Sequence, residues 1–148
     1  MAAFAQPAGQ PPVATKLATA KFVTLPNVPD CMTVAVERGD PGTGPASVLV
    51  KMAPACDSRT HWHAADASVV VVSGKTQLEM KDAKTAALGQ SDFFFMPAHH
   101  IHRERCVGRA ACTLYVELYG PFDVHYVDAA GKDIPEAEAL RGAKKSAP

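Results

Sequence analysis

The chain lacks an excess of either charge: 15 Lys and Arg stand against 15 Asp and Glu over 148 residues. A nucleic-acid partner normally meets a basic field, so that class is excluded. No apolar run approaches the length of a membrane-spanning helix, so no membrane partner is expected. No C-x-x-C pair occurs, which argues against a zinc ribbon. The first residues show neither the charged nor the apolar region of a secretory signal. They do read Ala3-Phe4-Ala5-Gln6, the A-x-A form of a cleavage end. The expectation is a secreted or periplasmic protein, with a disordered cytosolic tail as the alternative. Charged residues are also few, 20% against 47% apolar, which is a globular balance. The length allows one core and not two.

What is present is punctuation. Twelve prolines and ten glycines separate short runs rich in Val, Leu, Phe, Thr and Tyr. Strands are predicted at 21–25, 32–37, 47–52, 68–72, 76–81, 93–96, 101–105, 112–119 and 123–127. Turn chemistry between them points to a sandwich or barrel and away from βαβ units. One helix is predicted near the end: Pro135 suits its first turn, Glu136 and Glu138 its N-terminal dipole, and Gly142 its stop. Residues 1–20 read as a flexible segment, 21–142 as the single domain, and 143–148, with Lys144 and Lys145, as a solvated basic tail.

Four cysteines allow two bridges. Cys106 and Cys112 flank a five-residue hairpin loop, and cross-strand neighbours lie within disulfide reach. Cys31 and Cys56 are then the complement. Four buried free thiols are the alternative.

Six histidines are present, five of them between residues 61 and 102. His61 and His63 flank Trp62, and residues i and i+2 of a strand share a face. Two imidazoles can therefore converge on one ion. His102, behind the Pro97 turn, is placed to supply a third ligand. Scattered surface or core histidines are the competing reading.

These residues resemble the two motifs of the cupin superfamily. In the first motif His61, His63 and Gly74 match, and the position of the family's Glu falls on Ala67. In the second motif Pro97 and His102 match, while Ser91 and His99 occupy two Gly positions. Sixteen residues, 75–90, separate the motifs, a short spacer as in small single-domain cupins. The resemblance spans roughly residues 21–128, and Phe122–Asp128 is similar to a stretch of small, often exported bacterial cupins. It implies an all-β double-stranded β-helix, a jelly-roll barrel, with a metal at the mouth and a homodimer in solution. The strand reading fits such a closed architecture.

The resemblance implies a mononuclear centre on His61, His63 and His102. Without the family's carboxylate, three neutral imidazoles leave positions open. Imidazole suits Cu, Zn, Fe and Ni, and the Irving–Williams order favours copper, which an exported protein also meets more readily than Fe(II). The expectation is one divalent transition metal, copper first, then iron, zinc, nickel or manganese. Asp66 joins only if its strand starts later than expected; His100 shares parity with His102 and can support or replace it; His99 reads as a loop residue. Three-His cupins imply an oxidoreductase using O2 or peroxide, acting by oxidative cleavage of a polysaccharide or oxygenation of a small organic substrate. The alternatives are a non-redox zinc or nickel isomerase, lyase or hydrolase, and a non-catalytic sugar- or small-molecule-binding cupin.

Residues 112–119 alternate, so Tyr115 and Glu117 share one face. If that face lines the mouth, they orient substrate, with Glu117 a proton donor; solvent or a subunit interface is the equal alternative. Gln77 and Glu79 are candidates to reach the same pocket. Trp62 should point away from the metal, Arg103 and Arg105 to solvent, and 93–96 into the core.

Overall fold

The computed structural model describes Gly9 and residues 11–144. The Ala3–Gln6 run and Lys145–Pro148 lie outside the described residues. Among the described residues ten strands are formed: β1 Met32–Gly39, β2 Ala46–Met52, β3 His61–Trp62, β4 Ala67–Ser73, β5 Lys75–Met80, β6 Ala86–Leu88, β7 Phe93–Met96, β8 His102–Val107, β9 Cys112–Leu118 and β10 His125–Tyr126. They build two five-stranded antiparallel sheets, in the orders β1-β2-β9-β4-β7 and β10-β3-β8-β5-β6. This is the jelly-roll arrangement.

Alternation decides which side chains meet inside. In β2, Ala46, Val48, Val50 and Met52 are buried. The register sets Val50 against Leu114, and Leu114 against Val71. One step on, it sets Val48 against Val116 and Val116 against Val69. These rows of β-branched and Leu side chains form most of the core on the inner face of the first sheet. Burying each such side chain contributes roughly 1.5–3 kcal/mol.

Both expected disulfides form. Cys106–Cys112 ties the end of β8 to the start of β9, and Cys31–Cys56 ties the entry of β1 to the loop before β3. The sulfurs are part of the core, since Cys56, Cys106 and Cys112 are buried in it.

Several expectations need correction. The strand expected at 21–25 reduces to one bridge, Val23 with Val34, because Pro26 ends the extended run three residues later. The last strand narrows to His125–Tyr126, because Asp123 spends its carbonyl and carboxylate on His63 and Ala64. Phe93 and Phe95 are not core: they are 58% and 47% exposed, and only Phe94 and Met96 turn inward on that edge strand. β6, made of two Ala and a Leu, was not foreseen, since Ala carries little strand signal. Leu17–Thr19 makes a single 3-10 turn inside the segment expected to be flexible.

The C-terminal helix spans Glu136–Ala139 with Pro135 at its N-cap, and Gly142 follows with φ +76°. Lys144 is not a freely solvated lysine. Its ammonium pairs with Asp30 and donates to the carbonyls of Leu25 and Val28 at 3.0 and 2.9 Å.

Gly74 joins β4 to β5 with φ +85°, and a Cβ there would lie 2.6 Å from the Ala111 carbonyl oxygen. Both the backbone conformation and the close approach require glycine. Gly74→Ala should lower stability by about 2–4 kcal/mol, read as a lower urea midpoint at unchanged slope.

Candidate metal centre

His61 opens β3 and His102 opens β8, and the two are direct partners across that antiparallel pair. Both are 7% exposed. His63 lies just beyond β3 on the same side as His61. The ring centroids of His61 are 4.3 Å from those of His102 and 4.7 Å from those of His63; His63 and His102 are 5.3 Å apart. One ligand atom from each ring lies within 4.8 Å of the other two.

The backbone orients all three rings. Nδ1 of His61 meets the Arg59 carbonyl at 2.7 Å, and Nδ1 of His102 meets the His100 carbonyl at 2.9 Å. Nδ1 of His63 meets the Asp123 carbonyl. A carbonyl only accepts, so each neutral ring must carry its proton on Nδ1. That leaves the lone pair on Nε2, the tautomer a metal ligand needs. His61 Nε2 and His63 Nε2 are 3.1 Å apart. Two lone pairs at that distance call for a cation between them. The donor set therefore fits a metal ion.

Burial holds the rings neutral. It is the main cause that depresses all three pKa values, with a neighbouring histidine adding to it in each case. His102 is lowered to about 4. Neutral imidazole is the form that binds metal.

Ala67 is buried at the start of β4 and faces the same cavity as the three rings. The carboxylate position of the first motif is thus an inward-facing methyl, and the three-His group contains no carboxylate. Asp66 does not replace it. Its Oδ1 accepts from the Ala98 N–H at 2.7 Å, tying the loop after β3 to the loop before β8. Ser91 and His99, at the two Gly positions of the second motif, both have left-handed backbones, φ +71° and +63°. The turns are kept although the glycines are not.

His100 contributes its carbonyl to the centre, through the bond to His102. His99 sits on the outside, its ring 4.9 Å from Trp62. Trp62 points away from the cavity, as alternation requires. It also stacks on His125 at 3.9 Å with 9° between planes and donates its Nε1–H to Asp133 at 3.0 Å.

The structure does not bring Tyr115 and Glu117 to the centre. Leu114, Val116 and Leu118 take the inner face of β9 and line the cavity, so Tyr115 and Glu117 face away from it. There the Tyr115 hydroxyl donates to Glu117, which also accepts from Ser47 and pairs with Arg38. Gln77 and Glu79 are likewise outside, bonded to Arg105. Arg103 is outside with Asp57.

The residue missed is Glu104. It follows His102 by two positions on β8, so it shares the inner face. It is 9% exposed and lines the cavity. Burial pushes its carboxyl up to about 7, with the nearby Thr76 hydroxyl pulling the other way. The signal was available: the parity that turns Arg103 and Arg105 outward turns Glu104 inward.

The cavity has a volume of about 520 Å³. Its walls are apolar, with Val50, Val69, Met96 and Leu114 among them. Its polar groups include the three imidazoles, Ser58 and Glu104, with Lys21, Asn27 and Tyr126 also in the lining.

Comparison with known proteins agrees with this fold. The family model described as "Cupin domain" matches residues 48–118. No curated protein matched the chain in a sequence search. Among solved structures, the polyketide cyclase RemF from Streptomyces resistomycificus is similar, with a TM-score of 0.64, 19% identity, and 86% of this chain and 96% of that chain covered. The DMSP lyase DddQ from Ruegeria pomeroyi gives a TM-score of 0.62 at 18% identity, covering 82% of this chain and 73% of that one. KdgF from a Halomonas species gives 0.59 at 16%, covering 73% and 94%. At these identities the likeness is one of fold.

Metal-free protein should lose stability in acid. The unfolded chain takes protons near the ordinary histidine value of 6.5, whereas folded His102 resists them down to about 4. The stability held above pH 6.5 should fall as pH drops from 6.5 to 4, seen as a declining Tm in scans of chelator-treated protein.

Proposed function

The chain belongs to the cupin superfamily, and from that premise we propose a metal-dependent enzyme that holds one divalent transition metal on His61, His63 and His102. The observation that carries this reading is the convergence of three Nε2 lone pairs. Each is aimed by an Nδ1–H bonded to a backbone carbonyl. A metal bound there supplies Lewis-acid or redox activation, with an open coordination sphere suited to dioxygen or peroxide.

The residues around the centre have separate tasks. Ala67 adds no ligand, so the imidazoles alone set the donor character, which favours copper on affinity, with iron as the redox alternative. The valine, leucine and methionine walls exclude water and bind the apolar body of a substrate. Glu104 is the inner-face carboxyl closest in sequence to the ligands. An oxidoreductase acting on a small organic molecule is the reading these features support.

A polysaccharide is less well served. Sugar hydroxyls need many polar partners, and the chamber has few. Trp62 is no free sugar platform, since His125 stacks on its ring and His99 packs beside it. The two disulfides support a secreted or periplasmic location, because such bonds persist in oxidising compartments.

Protein purified without added metal and then reconstituted should bind one copper or iron per chain by elemental analysis. His61→Ala and His102→Ala should each weaken that binding by about 100-fold or more. The loaded protein should consume dioxygen or peroxide. Retention of zinc alone, or of no metal, would overturn the redox reading, and turnover that persists without oxygen or peroxide would move it to a non-redox enzyme.

A further inference from the structure

Glu104 has one polar neighbour for its side chain, the Thr76 hydroxyl, and that contact leaves one carboxyl oxygen unpaired. Its backbone does the structural work: the Glu104 N–H donates to Ser58 Oγ at 2.9 Å, and the Ser58 N–H donates to the Glu104 carbonyl at 2.9 Å. Its carboxyl oxygen Oε1 is fully buried and has no hydrogen-bond partner. Leu78 is its direct partner across β5 and β8. A buried polar atom without a partner costs roughly 1–3 kcal/mol. An apolar side chain of the same length would avoid that cost, so the position is better explained by a ligand than by the fold.

The surroundings define that ligand. The cavity of about 520 Å³ greatly exceeds the roughly 150 Å³ that accepts a benzene ring. Its walls are apolar, so the body of the ligand is apolar. Glu104 lies two residues along β8 from His102, roughly 6.6 Å of strand. A compact molecule can therefore touch Glu104 while its other end faces the imidazoles.

We propose that Glu104 determines specificity in this cavity by exchanging a hydrogen bond with a hydroxyl group on a small, otherwise apolar ligand such as a phenol or alcohol. A hydroxyl both donates and accepts, so it satisfies the carboxyl in either protonation state. This deepens the functional reading above: it rests on the cavity as the substrate chamber and not on a bound metal.

The test compares 4-methylphenol with p-xylene, which replaces the hydroxyl by a methyl at nearly the same shape. Both are titrated by NMR into chelator-treated protein, so metal binding does not enter the result. The ratio of the two dissociation constants should shift toward p-xylene by about tenfold in Glu104→Met. Glu104→Gln, which keeps an acceptor and a donor, should retain most of the wild-type preference. Glu104→Met should also melt close to wild type, because the side chain gives up only its contact with the Thr76 hydroxyl while the unpaired Oε1 is removed. An unchanged ratio in Glu104→Met, no binding of either probe, or a clear fall in its Tm would overturn the assignment. A failure here with intact one-to-one metal binding removes Glu104 and leaves the metal centre standing. A protein that binds no metal but shows the shifted ratio does the reverse.

Discussion

The pairing of His61 with His102 across β3 and β8 is the contact on which the rest of the centre depends. β3 is only two residues long, and β10 and β8 flank it on either side. It is held in register by its neighbours and not by its own length. That register turns His61 and His102 to one face, and His63 follows by the period-two rule. The three carbonyls that fix the ring tautomers come from Arg59, His100 and Asp123. Two of these lie two residues before the ring they orient, and the third comes from the segment before β10. The loops are therefore part of the ligand geometry as much as the strands.

The chamber behind the rings is maintained by a division of labour between the sheets. The first sheet supplies the rows of Val, Leu and Met that make the core. The second supplies His61, His102, Thr76 and Glu104, the polar residues that face inward. Such groups are expensive to bury, and the disulfides and apolar rows offset that cost. Outside the barrel, Glu117, Glu79 and Asp57 are engaged with Arg38, Arg105 and Arg103. The exterior carboxylates are thus paired while Glu104 keeps one oxygen unpaired, and that contrast supports its proposed role toward a ligand.

Much of this was legible in sequence, and the reason is periodicity. The His-x-His spacing can only converge on a strand, and Pro97 followed by His102 marks a second strand entry. The valine runs and the two cysteine pairs are equally local signals. Ser91 and His99 show how far such signals reach. They break the family's glycine pattern, yet their left-handed backbones keep the turns, a fact visible only in the dihedral angles. Tyr115 and Glu117 mark the limit. Alternation correctly grouped them, but one strand cannot tell which of its two faces is inside, and Leu114, Val116 and Leu118 were the inner set.

The chain by itself determined the parity of each strand, the spacing of the histidines and the absence of a carboxylate at Ala67. These follow from chemistry along one backbone. Only the tertiary structure decided which parity faces the chamber, that Glu104 and not Glu117 enters it, and that Asp66 is spent on the Ala98 N–H. Those outcomes depend on which sheet packs against which, and that packing is set by the register among strands far apart in the chain.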